Sequence, residues 1–160
     1  MVIIKSWLED FIDIGSYQTD KIVDALNKIG FEVECVTAYI PPENIVIGKI
    51  IEREAHPDAE KLSVCKVDVG ANEPLQIVCG APNARAGLTV AVAIDGAVMP
   101  SGLKIAKTTL RGVDSFGMIC SSEELGYPKV NSGIWELDSS FVQQKSGEQL
   151  CDLPQFCETV

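Results

Sequence analysis

The first thirty residues carry apolar side chains at helical spacing. The first apolar face consists of Trp7, Leu8, Phe11 and Ile12. This spacing predicts a helix over residues 6–13. A second apolar face predicts a helix with Thr19 as its N-cap and Gly30 as the C′ residue that ends it.

An alternating segment and a pair of prolines follow. Residues 31–36 alternate strictly between apolar and polar side chains, which predicts a half-buried strand. Pro41 and Pro42 are typical of a boundary between structural units. We therefore expect residues 1–40 to form a small α/β segment.

From Ile45 onward the apolar pattern has a period of two, which is typical of strands. The predicted strands are 45–54, 62–69, 75–79 and 89–94, with shorter ones at 103–106 and 134–137. Glycine, proline and asparagine separate them. Ser121 and Glu124 have the spacing of a capping box, and Gly126 would end that helical turn. The pattern predicts a mainly β fold, an OB-fold five-stranded barrel over residues 41–150.

Composition and charge narrow the class of protein. The 160 residues are 46% hydrophobic and carry a formal net charge of −10. Residues 43–150 hold ten Lys and Arg against fourteen Asp and Glu, a net charge of −4. An acidic body does not coat DNA or RNA non-specifically, because that binding depends on cations that neutralise phosphates. Any RNA contact must therefore come from a local basic patch, and we expect no DNA partner.

Targeting signals and long apolar runs are missing from the sequence. The first residues do not have the pattern of a secretory signal, and no apolar run approaches the roughly 20 residues that span a bilayer. We expect a cytoplasmic protein without a membrane partner.

The cysteines and the single histidine do not indicate a metal site. The cysteines are Cys35, Cys65, Cys79, Cys120, Cys151 and Cys157. Their gaps are irregular and none forms a CxxC pair, so we expect reduced thiols and no metal. His56 has no neighbouring nucleophile and is interpreted as a loop residue rather than a general base. No catalytic residue is predicted.

Two turn-rich loops carry candidate phosphate contacts. Lys61, in the loop 56–62, could contact a phosphate or be a solvated charge. The loop 80–85 lacks the endings of nucleotide-binding loops, and Asn83 is expected to close its turn with its side chain. Arg85 is a further candidate for an RNA phosphate contact.

One cationic cluster is free of intervening acids. Lys104, Lys107 and Arg111 lie between Asp95 and Asp114. They indicate either the electrostatic footprint of an RNA backbone or a solvated edge that resists aggregation. The segment is too short to show whether the two lysines share a face.

A glycine and three aromatic residues complete the candidate features. Gly117 suggests a close approach of backbone or a bulge. The aromatic candidates for stacking on bases are Phe116, Tyr127 and Trp135. Trp135 falls in an alternating run and is expected to be buried.

The order of these blocks resembles the N-terminal region of the beta subunit of bacterial phenylalanyl-tRNA synthetases. The resemblance is carried by residues 6–14, 30–34, 56–62, 78–85 and 110–121. It covers essentially residues 1–150. The barrel blocks are shared with free-standing tRNA-binding proteins, whereas the N-terminal block is not.

This resemblance implies a non-catalytic tRNA-binding module of an enzyme that attaches phenylalanine to its tRNA with ATP. The implied partners are tRNA, the rest of the beta subunit and an alpha subunit, in a heterotetramer of two alpha and two beta chains. ATP and magnesium would serve the whole enzyme, and no cofactor is expected in these 160 residues. The family's N-terminal segment packs with chain that follows the barrel, so the resemblance makes residues 151–160 the start of the segment returning to the N-terminal part. We therefore expect exposed apolar surface near Phe31, Val33 and Phe156.

Two other functions remain open. The chain could be a structural module of the synthetase with little tRNA contact, which its acidic balance favours. It could also be a free-standing tRNA-binding protein, which would be distinguished by whether the gene continues past Val160. In the tRNA-binding case, the contacts would be Lys104, Lys107 and Arg111, with Lys61 and Arg85.

Overall fold

The structure is a computed structural model that describes residues 3, 5–138, 145–153, 156, 158 and 159. The described residues belong to two compact units, Met1–Ile40 with Pro154–Val160, and Pro41–Leu153. No helix among the described residues combines the length and the apolar character needed to cross a membrane.

The first unit contains two helices, α1 (Lys5–Glu9) and α2 (Thr19–Lys28). The predicted first helix is too long, because the chain turns after α1 and leaves Phe11 86% exposed. The predicted N-cap is wrong by one position, since Gln18 is the N-cap and makes no side-chain capping bond.

The end of α2 confirms the predicted role of Gly30. Its φ is 98°, in the left-handed region that glycine adopts without steric cost. The Gly30 N–H donates to the Asn27 carbonyl, and the Phe31 N–H donates to the Leu26 carbonyl. These two bonds form a Schellman motif, which satisfies carbonyls that the helix itself leaves unpaired.

The predicted strand over 31–36 is wrong. The described residues supply no neighbouring strand there, and a strand forms only where a partner offers N–H and C=O groups. The first strand is instead β1 (Ala38–Tyr39), which later pairs with Glu158–Thr159. Phe31 is 47% exposed, as expected, and Val33 is half-buried. Phe156 is only 2% exposed, so the prediction of exposed surface there is wrong.

The second unit confirms the predicted mainly β fold. Its sheet is built from five strands: β2 (Ile45–Ala55), β3 (Ser63–Asp68), β4 (Leu75–Cys79), β5 (Thr89–Ala93) and Met118–Ile119. Between β5 and that last strand lies a hairpin of β6 (Thr108–Leu110) and β7 (Val113–Ser115), so Met118–Ile119 is β8 and Glu158–Thr159 is β9. The antiparallel order is β4-β3-β2-β5-β8. Apolar side chains from these strands, including Val67, Ile77 and Val92, fill the barrel.

The sheet curls into a nearly closed barrel through contacts at its free edge. The Val78 N–H of β4 donates to the Ser115 hydroxyl, and the Phe116 N–H donates to the Gln76 carbonyl. A Cβ on Gly117 would lie 2.7 Å from the Ala93 carbonyl oxygen, which confirms the predicted close approach of backbone.

Strand β2 runs past both of its neighbours. It pairs with β5 only through Ile45–Lys49, and a β-bulge interrupts its pairing with β3 between Ile50 and Glu52. Gly48 faces the barrel interior, where an added Cβ would lie 2.5 Å from Val92 Cγ2 and 2.9 Å from Val67 Cγ1. The tight packing inside the barrel therefore requires glycine at this position.

The last two predicted strands are each reduced to a single bridge. Lys104 bridges Val98, and Glu136 bridges Val90. Neither segment forms a ladder, because each turns away after one residue. The predicted capping box is confirmed: the Ser121 N–H donates to Glu124 Oε2 at 2.7 Å, and the Glu124 N–H donates to Ser121 Oγ at 3.2 Å.

Candidate nucleic-acid interface

The β6–β7 hairpin presents Arg111 at its tip. Arg111 and Gly112 have φ values of 50° and 83°, as in a type I′ turn, which connects strands without splaying them. A left-handed conformation costs a non-glycine residue about 1–2 kcal/mol. The hairpin tolerates this cost and exposes the guanidinium to solvent.

A buried histidine holds the hairpin tip to the loop 56–62. His56 Nε2 lies 3.1 Å from the Leu110 carbonyl oxygen, and the Asp58 N–H donates to His56 Nδ1 at 3.1 Å. Since Nδ1 accepts a hydrogen bond, the proton of the neutral ring is on Nε2, which donates to Leu110. The structure thus gives His56 a loop-fixing role, as the sequence indicated.

Lys61 belongs to the same loop. The His56 N–H donates to the Leu62 carbonyl and closes the loop at its base. Lys61 is exposed and forms no ion pair with any residue that the structure describes. The hydrogen bond from His56 to Leu110 therefore joins the segment that carries Lys61 to the residue that precedes Arg111.

Lys107 is held at the base of the hairpin. Its Nζ lies 2.7 Å from Asp114 Oδ2 and 5.1 Å from the centre of the Phe116 ring. Thr109 Oγ1 donates to the other carboxylate oxygen of Asp114 at 2.7 Å. The hydrogen bond from Lys107, and then that from Thr109, lower the pKa of Asp114 below its ordinary value.

Lys104 lies at a groove on the barrel. The groove has a volume of about 700 Å³ and runs between the segments 78–82 and 103–108. Lys104 lines it, whereas Lys107 does not, so the two lysines have different surroundings. Lys104 is exposed and has no ion pair within the described ranges.

Arg85 links two distant parts of the barrel. It forms a two-pronged salt bridge with Glu136, with both N–O distances 2.9 Å. The hydrogen bonds from Arg85, and then from Asn83, lower the pKa of Glu136 below its ordinary value. This geometry gives Arg85 a structural contact in addition to any role in binding.

Asn83 also crosses to the segment 131–136 and does not close its own turn as predicted. Its Nδ2 donates to the Ile134 carbonyl at 2.9 Å, and its Oδ1 accepts the Ile134 N–H at 3.0 Å. Gly133 lies so near that an added Cβ would overlap Asn83 Oδ1. The amide pairs with backbone 51 residues away because that backbone lies directly against the loop.

The structure therefore divides the five predicted RNA-contacting cations into two groups. Lys107 and Arg85 are in ion pairs, and Lys61, Lys104 and Arg111 are in none that involves the described residues. Sequence reasoning missed the pairing residues Asp114 and Glu136. The signal available for Asp114 was its position at the end of the acid-free stretch; no local signal indicated Glu136.

The aromatic candidates differ in exposure. Phe116 is 39% exposed and lies beneath Lys107. Tyr127 and Trp135 pack together with their ring centres 5.0 Å apart. Trp135 is half-buried rather than fully buried, because its segment does not enter a ladder.

The buried thiols and the carboxylates show no sign of a metal centre. Within the described residues, no group of three or more His, Cys, Asp or Glu side chains is placed to hold a metal ion. Burial raises the pKa of Cys65 and Cys79, and it raises the pKa of Cys120 to about 12. These three thiols are therefore protonated near neutral pH and pack as small apolar groups.

Comparison with known proteins gives the family. The family model described as "Putative tRNA binding domain" matches residues 45–145. The chain is 51% identical over 150 residues to the phenylalanine–tRNA ligase beta subunit of Sulfurimonas denitrificans, covering 94% of this chain and 19% of that protein. It is 47% identical over 160 residues to the same subunit of Wolinella succinogenes, covering 100% of this chain and 20% of that protein.

The chain thus spans about a fifth of the length of these relatives. Among solved structures, the C-terminal domain of Plasmodium vivax p43 matches with a TM-score of 0.49 and 24% identity, covering 66% of this chain and 58% of that one. The sequence-based resemblance to the beta subunit is confirmed by the identity to the two relatives. Because the family match extends over most of the barrel and more than half of the chain, the chain belongs to the tRNA-binding domain family.

Proposed function

We propose that the chain is a non-catalytic accessory module of a phenylalanine–tRNA ligase and that it contacts the tRNA backbone through the β6–β7 hairpin. The observation that carries this proposal is Arg111, an exposed cation without an ion pair in the described chain, held in a left-handed conformation at a hairpin tip. Backbone strain of this kind is retained where the surrounding structure enforces it, often at binding sites.

The proposed contact is electrostatic and does not read base sequence. Arg111 and Lys104 would bind phosphates directly, and Lys61 would extend the same edge through the His56 contact. Lys107 and Arg85 would contribute once released from their carboxylates. Phosphate contacts fix the position of a nucleic acid but carry no direct sequence information.

A titration with tRNA tests the proposal. Wild-type protein should bind tRNA at low salt, and Arg111→Ala should weaken binding about fivefold or more, since a charge-assisted contact is lost. The slope of log K against log salt should flatten by about 1, because one phosphate contact is removed. An unchanged slope would contradict the role of Arg111.

Lys145→Ala is the matched control. It removes the same charge from an exposed position next to Glu148, whose carbonyl accepts the Ile47 N–H at the start of β2. The hairpin is joined to the other end of β2 through His56. Lys145→Ala should therefore leave the salt slope unchanged.

The second function, a structural module, is favoured by the charge and by the first unit. The net charge of −4 over residues 43–150 opposes tight RNA binding. The first unit also exposes large apolar side chains, including Phe11, Ile29 and Ile40. If the protein fails to bind tRNA even at low salt, the structural role is favoured.

The first unit is proposed to be an incomplete half-domain, covering residues 1–40, that later parts of a longer beta subunit would cover. Support comes from a cavity of about 470 Å³ within that unit, lined by apolar side chains such as Leu8, Leu26 and Phe31. The length of the relatives also favours a longer protein over a free-standing one. Sequencing the gene beyond Val160 distinguishes the two.

For the whole ligase, we propose the activity that the relatives' name states, the joining of phenylalanine to tRNA. That reaction would take place outside these residues, in a complex of two alpha and two beta chains that uses ATP and magnesium. Residues 41–150 would contribute tRNA binding to that enzyme. Aminoacylation by the full enzyme with and without Arg111→Ala would test this contribution.

A further inference from the structure

We propose that Asp114 limits the affinity of this domain for RNA by occupying Lys107 in place of a phosphate. The inference rests on the proposed tRNA-binding function and adds a residue that opposes it. It concerns a carboxylate, not one of the cations expected to bind.

The geometry around Asp114 resembles that of a bound anion. Both carboxylate oxygens are engaged, Oδ2 by Lys107 Nζ at 2.7 Å and Oδ1 by the Thr109 hydroxyl at 2.7 Å. Gln76 Nε2 donates to the Asp114 carbonyl at 2.8 Å and fixes the residue to β4. Asp114 therefore offers one anionic oxygen to the Lys107 ammonium and the other to the Thr109 hydroxyl, two kinds of donor that a phosphate group also accepts from.

Lys107 is confined on a second side as well. Its ammonium lies 5.1 Å from the centre of the Phe116 ring, within the range of a cation–π contact. Lys104 and Arg111, the other two members of the cluster, have neither an ion pair nor a ring contact in the described structure. The Asp114 carboxylate thus pairs with one of the three cations, Lys107.

This arrangement opposes binding in two ways. Asp114 already takes up part of the positive charge of Lys107, and the carboxylate repels a phosphate that approaches the same ammonium. The ion pair is exposed to solvent, and such pairs are weak, so the opposition is moderate rather than absolute. Removing the carboxylate charge should make Lys107 available at once.

Asp114→Asn is the central variant, studied in the full 160-residue protein with unfractionated tRNA as the probe. The amide oxygen can still accept the Thr109 hydroxyl, so the hairpin should be kept. We expect affinity to rise about three- to tenfold at low salt, with a steeper salt dependence. Asp114→Ala provides a second variant if the amide disturbs the fold.

Glu148→Gln is the matched control for the change in net charge. Asp114 accepts a hydrogen bond from Gln76 of β4. Gln76 pairs with Lys66 of β3, and Lys66 pairs with Glu52 of β2. Glu148 accepts a hydrogen bond from Ile47 of β2. Ile47 is five residues from Glu52 along that strand, which is about 16 Å at 3.3 Å per residue. That separation exceeds the Debye length of about 10 Å at 0.1 M salt, so Glu148→Gln should change the affinity measured at 0.1 M salt little.

A double-mutant cycle then tests the dependence on Lys107. In a Lys107→Ala background, Asp114→Asn should give a clearly smaller gain, because only the repulsion between the carboxylate and the phosphate is then relieved. A gain as large without Lys107 as with it, or an equal gain from Glu148→Gln, would overturn the inference.

The outcomes separate this inference from the proposed function. If wild type binds tRNA and Arg111→Ala weakens binding, but Asp114→Asn has no effect, only the role of Asp114 fails. If neither wild type nor Asp114→Asn binds at low salt, the proposed function fails and the role of Asp114 fails with it.

Discussion

His56 and Leu110 are joined by a hydrogen bond of 3.1 Å between the imidazole Nε2 and the main-chain oxygen. The bond connects residues 54 positions apart and couples the loop after β2 to the tip of the β6–β7 hairpin. His56 is 5% exposed, so its imidazole is buried although it connects two segments that carry the exposed residues Lys61 and Arg111.

Replacing His56 should therefore destabilise the barrel. His56→Ala would remove the acceptor of the Asp58 N–H and the donor to the Leu110 carbonyl. Loss of buried hydrogen bonds of this kind lowers the free energy of unfolding by about 1–3 kcal/mol. Urea unfolding would measure the change. Lys61→Ala, in the same loop but exposed, should stay within about 0.5 kcal/mol of wild type, and equal stability of the two variants would contradict the assignment.

Gly48 should not accept a side chain. Gly48→Val would place atoms into the space of Val67 and Val92, and overpacking of a barrel core costs about 1–3 kcal/mol or more. Gly102→Ala is the control, because φ is 86° there but an added Cβ meets open space. The control carries only the conformational cost of a left-handed residue, about 1–2 kcal/mol. Thermal unfolding that ranked Gly102→Ala as the more damaging change would contradict this account of the core.

The Arg85–Glu136 pair should make stability depend on pH in the acid range. The pKa of Glu136 is lowered in the folded state, so its contribution is present above the ordinary pKa of a glutamate. That contribution is lost as the pH falls through the lowered folded pKa. Melting temperatures between about pH 3 and pH 7 should therefore fall less steeply in Glu136→Gln than in wild type. Identical profiles would show that the salt bridge contributes nothing.

The cysteines should differ sharply in reactivity. Cys35 is exposed, whereas Cys65, Cys79 and Cys120 are buried and have raised pKa values. Because the thiolate is the reactive form, iodoacetamide at neutral pH should label Cys35 in the native protein. The three buried thiols should be labelled only after denaturation. Mass spectrometry of peptides would identify the sites, and rapid native labelling of Cys120 would contradict the buried position.

The sequence predicts the barrel well where apolar runs have strand length, as in β2 and β4, whose predicted bounds lie within one residue of the observed ones. It fails for the β6–β7 hairpin, whose strands have three residues each and whose first strand, Thr108–Leu110, is exposed throughout. Such a strand has no apolar alternation to detect. It is held by its pairing with β7 and by the hydrogen bond between Leu110 and His56. For residues 31–36 the error is the opposite one: alternation predicts a strand, but none forms, because alternation alone does not supply a pairing partner.

The site was predictable in its charges but not in its pairings. Lys104, Lys107 and Arg111 stand out because acids are missing between them. The salt bridge between Arg85 and Glu136 joins residues that are 51 positions apart, so no local sequence pattern predicts it. The left-handed conformation of Arg111 was not predictable either, because asparagine, aspartate or glycine usually occupies the first central position of such a turn.

The bulge in β2 has a consequence for solubility. Past Ile50 the strand pairs, among the residues that the structure describes, with β3 only, and these residues leave its other edge open to addition of a foreign strand. Ile51 is 46% exposed on that edge, and it is followed by Glu52, Arg53 and Glu54. Charged side chains on an open edge disfavour stacking of one copy on the next. We expect these three charges to disfavour ordered self-aggregation along the part of β2 that follows Ile50.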